Sequence, residues 1–337
     1  MKERAERKRL MTLQILKESS EPISSQKIRE LLAERGLEIS ERTVRFHLQA
    51  LDNLGFTAYK EKKGRYITPK GLLELSRSHV YEKVGFLSSR IDDMTYRMSY
   101  NYHTGEGKVL VNVSLVSKAE LIKAVKMFLP YMKSAFSTGE MIALFQEGEN
   151  LGETVIPRGY VGIGTVCSIT LNGIMLSSGV PVVSLFGGLL EVVNGKAERF
   201  TAIIKYEGTS LDPLEIYIKS GMTNCTGIIE EGSGQVGASF REIPASSREY
   251  VVSINEELKK IGMGGIIEIG YPGQSLLGIP VAHERCGVVV AGGLNSVSVA
   301  HEGGVELISK ALSGLVEFDR LIHYSELMDR AEELVHN

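Results

Sequence analysis

The sequence predicts an α/β (α+β) protein in two parts: a small helical domain closed by a β-hairpin, then a larger α/β body built from an internally duplicated unit. Three observations predict this. Apolar residues recur at helical spacing three times within the first 54 residues, then give way to short β-like runs. From residue 107 onward, strand-like and helical stretches alternate, punctuated by glycine. Charge divides the same way: residues 1–80 hold 17 Lys+Arg against 11 Asp+Glu, a net +6, and the remainder carries −9. The predicted boundaries are 1–78 for the helical domain, 79–106 for a connector and 107–325 for the body.

In the first predicted helix, over residues 3–18, the apolar stripe is Leu10, Leu13, Ile15 and Leu16. The second opens at Ser24 or Ser25, buries Ile28, Leu31 and Leu32, and stops at Gly36. The third opens at Ser40, a good N-cap, buries Val44, Leu48 and Leu51, and ends at Gly55. Phe56–Tyr59 and Arg65–Thr68 then make two short strands joined by Lys60-Glu61-Lys62-Lys63-Gly64, a hairpin with a basic tip. A short helix is expected from Pro69 to Ser78. Three helices and a basic hairpin are the layout of a winged helix-turn-helix.

At 100° per residue, Arg42, Phe46 and Gln49 point away from the buried face of the third helix, with Arg45 on its flank and His47 bordering the core. Phe46 suits contact with a thymine methyl in the major groove. Arg42 and Arg45 take either guanine edges or phosphates. Ser40 and Thr43, at the start of that helix, join the same candidate DNA-contacting set. Ser25 and Gln26 begin the helix expected to cross the backbone, where a helix N-terminus favours phosphate. Lys62, Lys63 and Arg65 would touch the sugar-phosphate or minor groove from the wing. Winged helices also serve as protein-interaction modules; the net charge and the exposed row favour double-stranded DNA.

Composition excludes several other classes. A chain of 337 residues, 43% hydrophobic with mean hydropathy +0.01, suits two or three globular domains. Cys167, Cys225 and Cys286 lie far apart without a CxxC or Cys/His cluster, so neither a disulfide framework nor a zinc site is expected. No signal-peptide core follows the charged start, and a cytoplasmic location is expected. Residues 159–190 carry no charge, but seven glycines, Pro181 and Asn172 make them buried strands with tight turns rather than a membrane span.

In the body, Val109–Val116 alternates as a strand, and Lys118–Lys133 is helical through Leu121, Ile122, Val125 and Phe128. Three strings recur in order: Ile156-Pro157 with Ile243-Pro244, Gly179-Val-Pro-Val with Gly278-Ile-Pro-Val, and Tyr206-Glu-Gly with His301-Glu-Gly. They suggest duplicated halves near 136–220 and 221–312, the second with an added helix around Ser253 to Gly262. A cleft between such halves is a common ligand site. The glycine stretch from Arg158 to Ser168 lacks a dinucleotide or P-loop fingerprint. It is either an anion cradle, in which Gly162 and Gly164 free backbone N–H groups beside Arg158, Thr165 and Ser168, or a set of tight turns in a buried sheet. Cys167 is a nucleophile or a buried structural thiol; no His–Asp pair accompanies it, and the latter fits better. Gly208–Glu215 reads as a strand-to-helix turn in which Thr209 and Ser210 supply hydroxyls; it lines a pocket or merely caps a helix. His283 and Arg285 follow the second Gly-Ile-Pro-Val and would present cations to a carboxylate. No metal set is expected.

Several strings form a familiar set: Gly162-Ile-Gly-Thr-Val-Cys167-Ser168-Ile-Thr170-Leu-Asn172-Gly173, Phe186-Gly-Gly-Leu-Leu-Glu191, Tyr206-Glu-Gly-Thr-Ser-Leu-Asp-Pro213, Phe240-Arg241-Glu242-Ile-Pro-Ala245 and Val289-Val-Ala-Gly-Gly-Leu-Asn295. Together with the winged helix they resemble the archaeal nitrogen-response repressor family across nearly the whole chain. The resemblance implies a non-enzymatic repressor of nitrogen-fixation and ammonia-assimilation genes that binds inverted-repeat operators as a homodimer or higher homo-oligomer. It also implies release by 2-oxoglutarate as a regulatory ligand, with no cofactor. The effector set expected is Arg158, Gly162, Gly164, Thr165, Cys167, Ser168, Thr209, Ser210, His283 and Arg285. Members differ in role, some working through basal transcription factors. Two rivals follow: a co-regulator acting through a protein partner, and a metabolite enzyme with a DNA-binding appendage.

Overall fold

Leu13, Ile15 and Leu16, which make the first helix amphipathic, are all buried in the computed structural model. The structure describes residues 2–19, 21–60, 63–72, 75, 87–152 and 154–336, and divides into the units Met1–Gly85 and Phe86–Asn337. In the first unit, α1 (Lys2–Glu18), α2 (Ser25–Glu34) and α3 (Glu41–Asn53) close on a core containing Ile28, Leu32, Val44 and Leu48. Ser24, rather than Ser25, caps α2: its Oγ accepts the Lys27 N–H at 3.2 Å. Ser40 caps α3 by accepting the Thr43 N–H at 3.2 Å.

Strands β1 (Thr57–Lys60) and β2 (Gly64–Ile67) pair antiparallel as the wing. Arg65 also exchanges backbone hydrogen bonds with Ile23, at 2.9 and 3.0 Å, which ties the wing to the chain before α2. Gly64 has φ +107°, and a Cβ there would lie 2.3 Å from the Ile23 oxygen, so the close approach requires glycine. The helix expected from Pro69 is present through Leu72 and at Leu75, whose side chain is buried; the rest of that expectation lies outside the described residues.

The second unit opens with α4 (Leu87–Arg97), so the stretch expected to be a connector contains a packed helix that buries Leu87 and Ile91. A first series follows: β3 (Lys108–Ser117), α5 (Leu121–Phe128), β4 (Met141–Phe145), the small hairpin β5 (Asn150–Leu151) and β6 (Thr154–Val155), β7 (Tyr160–Val166), α6 (Thr170–Ser177), β8 (Val183–Val193) and β9 (Lys196–Lys205). Two short helices, α7 (Pro213–Lys219) and α8 (Thr226–Glu230), lead to a second series. It comprises β10 (Gly234–Pro244), α9 (Arg248–Lys260), β11 (Ile266–Ile269), β12 (Arg285–Ala291), α10 (Asn295–Glu302), β13 (Ile308–Glu317) and β14 (Ile322–His323), followed by α11 (Leu327–His336).

Among the described residues of this unit, the strands other than β5 and β6 form two antiparallel five-stranded sheets ordered β13-β3-β7-β4-β14 and β11-β12-β10-β8-β9. The series β3-α5-β4-β7-α6-β8 thus repeats as β10-α9-β11-β12-α10-β13. Each half lends its last long strand to the other: β8 lies beside β10, and β13 beside β3. Central strands send alternate side chains into two different cores, as Val288 and Val290 do on one side and Val289 on the other.

The repeat therefore runs in a different register from that of the recurring strings. Ile156-Pro157 precedes β7, whereas Ile243-Pro244 ends β10. The helix around Ser253 to Gly262 is α9, whose counterpart α5 is present in the first half. The uncharged stretch 159–190 forms β7, α6 and the start of β8; no helix among the described residues is long and apolar enough to cross a membrane.

One pair of buried side chains fixes the true register. Thr170, the first residue of α6, bonds both the N–H and the carbonyl of Leu110 in β3, at 3.2 and 2.9 Å. Asn295, the first residue of α10, does the same to Gly237 in β10, at 2.9 and 2.8 Å, and reaches the Phe136 carbonyl at 3.2 Å. Each accepts a buried strand N–H and adds a second donor to a carbonyl that the turn before the helix already pairs, through Cys167 N–H in one half and Gly292 N–H in the other. Asn295→Ala is expected to cost about 1–3 kcal/mol in urea denaturation, because it strands the buried Gly237 N–H and takes one of two donors from the Gly237 and Phe136 carbonyls. Thr170→Ser, which keeps the hydroxyl, should cost less than Thr170→Val.

Candidate functional site

On α3 the side opposite Val44, Leu48 and Leu51 is open. Phe46 is 70% exposed between exposed Arg42 and Gln49, and its ring meets His47 edge-on at 6.1 Å. His47 is half-buried; burial, then the charge of Lys8, lowers its pKa and keeps it neutral and part of the packing. Arg45 is held sideways: its Nη2 pairs with Glu41 at 2.7 Å, and the same Glu41 oxygen accepts from Ser25 at 3.0 Å. This triad locks the start of α2 to α3, so Ser25 and Arg45 position the helices as well as lying near their exposed ends. Ser40 and Thr43 bond each other at 2.9 Å in the cap, and Gln26 is exposed.

The wing divides similarly. Lys63 is exposed at the turn, and Lys62 lies outside the described residues. Arg65 is not a free wing cation: its Nε pairs with Asp52 of α3 at 2.8 Å, and its guanidinium lies 5.6 Å from the Tyr59 ring centroid. Asp52 also accepts the Thr57 hydroxyl at 2.5 Å. Sequence reading missed two aromatic residues of the wing, Tyr59 and Tyr66, which are 60% and 42% exposed.

In the second unit the expected effector residues separate into two groups. Arg158 is exposed on the turn entering β7, whereas Cys167 and Ser168 follow its other end, about 20 Å away along a seven-residue strand. His283 is exposed before β12, and Arg285 at the start of β12 is paired with Glu242 at 2.9 Å. Gly162 and Gly164 are strand residues, not a loop cradle. A Cβ at either would lie 2.7 Å from Ile156 Cδ1 or 2.6 Å from Phe145 Cε2, so large side chains fill the space they leave. Thr165 is buried, its hydroxyl without a hydrogen-bond partner.

Cys167 and Ser168 line a narrow cavity with Asn112, Tyr206, Asp212 and Gly293, closed by Ile91 of α4 and by Leu214 and Leu312. Thr209 and Ser210 lie in the loop leading to it; the Thr209 carbonyl accepts the Leu87 N–H, at the first residue of α4, at 2.8 Å. Asp212 caps α7, accepting the Leu214 and Glu215 N–H groups at 2.9 and 3.3 Å. Burial, helped by the charge of Glu215, pushes its carboxyl up to about 6. Burial pushes the Cys167 thiol up to about 12, so it stays protonated.

Behind Cys167 and Tyr206 stands Arg241 of β10, fully buried. Its Nη1 donates to Asn172 Oδ1 at 2.5 Å and its Nη2 to Ser239 Oγ at 3.1 Å, while its Nε has no partner. Asn172 in turn donates to Ser184 Oγ at 2.9 Å. Burial lowers the guanidinium pKa to about 10, leaving it a cation at neutral pH.

A winged helix followed by a duplicated α/β unit with a small cavity in its interior defines a two-domain protein of the winged-helix and effector-domain class. The comparisons identify the family: residues 84–323 match the model of NrpR regulatory domains 1 and 2, residues 10–75 match a ribonuclease R winged-helix domain, and the chain belongs to the NrpR family. It is 34% identical to a global nitrogen regulator NrpRI of Methanosarcina mazei, over 94% of this chain and 97% of that one. It is 31% identical to a global nitrogen regulator NrpR of Methanococcus maripaludis over 87% of this chain, but spans about half of that longer relative, 51%. A crystal structure of a nitrogen repressor-like protein from Methanococcus jannaschii matches with a TM-score of 0.61 at 30% identity, covering 71% of this chain and 98% of that one.

Two outcomes test the pocket's electrostatics. Asp212 has a folded-state pKa raised from 3.8 to about 6, so its contribution to stability is present at low pH and lost as pH rises through 6. Asp212→Asn, which still caps α7, should therefore gain in stability relative to wild type between pH 4 and 6.5, measured by denaturant titration at each pH. Cys167 should resist iodoacetamide at pH 8 in the folded protein and react on unfolding, followed by peptide mass analysis.

Proposed function

We propose that this chain is a DNA-binding transcriptional repressor of nitrogen-assimilation and nitrogen-fixation genes, released from its operator by 2-oxoglutarate. The observation that carries the DNA-binding reading is the outer face of α3. A helix sealed on one side by Val44, Leu48 and Leu51 presents Arg42, Phe46 and Gln49 on the other. An aromatic side chain left in water between two long polar ones costs solvation and suits an apolar step in a major groove. The relatives named global nitrogen regulators support the choice of target genes.

The protein works as a homodimer whose two winged helices meet half-sites about one helical turn apart. The second unit senses the keto acid, and binding favours a state in which the two recognition helices no longer match the operator. An enzymatic role is disfavoured: the buried, protonated Cys167 is a poor nucleophile, and the relatives are regulators.

Fluorescence anisotropy on the gene's own upstream DNA tests this reading. Binding should weaken steeply with salt, and 2-oxoglutarate, but not succinate or glutamate, should release the DNA. Arg42→Ala should cost about 1–3 kcal/mol of operator affinity if it reads a base. Unchanged affinity for both Arg42→Ala and Phe46→Ala would remove α3 from the interface.

A further inference from the structure

Arg65 is the residue at which the parts of the first unit meet. Its backbone is bonded to Ile23 ahead of α2, its Nε to Asp52 of α3, and its guanidinium lies against the ring of Tyr59 in β1. Tyr59 and Arg65 are cross-strand partners, so both side chains leave the same face of the hairpin. Thr57 and Ile67, the next pair on that face, turn toward the core.

Asp52 holds the arrangement from the helix side. One of its oxygens takes Arg65 of β2, and the other takes the Thr57 hydroxyl of β1. At 100° per residue Asp52 lies within about 20° of Arg45, two turns earlier, on the flank next to Gln49. A half-exposed ion pair contributes little stability by itself. What this one fixes is an angle. With a single carboxylate bonded to both strands, the wing cannot pivot on α3 without breaking a charge-assisted hydrogen bond.

Tyr59 is the exposed group that this bracing serves. Its ring is open to solvent, yet Arg65 restrains it from beneath, so little freedom remains to be lost on contact with a partner. A tyrosine so held packs its ring on a deoxyribose and donates its hydroxyl to a phosphate oxygen. The charge of Arg65 is already met by Asp52, which makes it a poor phosphate cation, and Lys60 and Lys63 remain exposed on the strand and turn to supply charge.

We propose that Asp52 is a positioning residue for operator recognition. Through Arg65 it sets Tyr59 at a fixed reach from the outer face of α3, and Tyr59 then meets the sugar-phosphate backbone bordering the groove that α3 enters. This assignment rests on the reading that α3 binds double-stranded DNA.

The test uses the full chain, with anisotropy read on a duplex from the gene's own upstream region and on a scrambled duplex of equal length, each across a salt series. Tyr59→Ala should weaken binding to the upstream duplex about tenfold with an unchanged salt slope. Tyr59→Phe should lose part of that. Asp52→Asn should also weaken binding to the upstream duplex while binding the scrambled one at least as well as wild type does. That direction is diagnostic, because removing a negative charge beside DNA would otherwise tighten both. The double variant should bind within about twofold of Tyr59→Ala alone, since Asp52 acts through that ring. Arg65→Lys, which keeps the charge but loses the planar fork, should behave as Asp52→Asn does and takes its place in the cycle if Asp52→Asn does not fold.

Tighter binding of Asp52→Asn with a steeper salt slope would overturn the proposal, because Asp52 would then only mask Arg65. So would additive losses in the double variant, or wild-type binding by Tyr59→Ala while Arg42→Ala and Phe46→Ala weaken it; that last result leaves α3 as the reading helix. A wild-type protein that binds neither duplex would overturn both readings.

Discussion

The exchange of strands between the two halves is the constraint on which the second unit depends. β8 leaves the first half to lie against β10, and β13 leaves the second to lie against β3. Neither sheet exists without the other half. Helices follow the same logic: α5 packs on α10, and α6 shares a core with α9. A change of packing in one half is therefore felt in both, because one core runs through residues of each.

That arrangement also explains why the pocket lies where it does. The turns after β7 and β12 each drop into a helix pinned back to a neighbouring strand, by Thr170 in one case and Asn295 in the other. These turns bring Cys167 and Gly293 close together: a Cβ on Gly293 would lie 3.2 Å from Cys167 Cα. Backbones that approach so nearly leave a polar seam, and Asn112, Tyr206 and Asp212 open onto it.

Sequence patterning made the first unit legible because its signals are local. Ser40, Val44, Leu48 and Leu51 lie within one helix, and their spacing alone assigns a buried and an exposed face. Arg65 was misjudged because its partner, Asp52, is a tertiary neighbour on another element. In the second unit, glycine misled: Gly162 and Gly164 suggest a loop by composition but serve as gaps for Ile156 and Phe145. The recurring strings gave a duplication but not its register, since equivalent positions share burial and hydrogen bonding rather than residue type. Arg241 stood within a quoted string, yet nothing local distinguished it from an outward strand residue. Its one available signal was Ser239 at the alternate position before it, a short polar residue on the same strand face that accepts from the guanidinium.

The swapped strand β13 has a temporal consequence. Val113 in β3 is bonded to Ser313, 200 residues later, so the first sheet waits for nearly the last segment of the chain to be synthesised. The winged helix needs none of that; its contacts close within the first 75 residues. On the ribosome the winged helix can close while the second unit is still an open set of unpaired strands. For the length of that interval a nascent chain carries a finished first unit and an unfinished second one, and chain termination anywhere short of β13 would make the interval permanent.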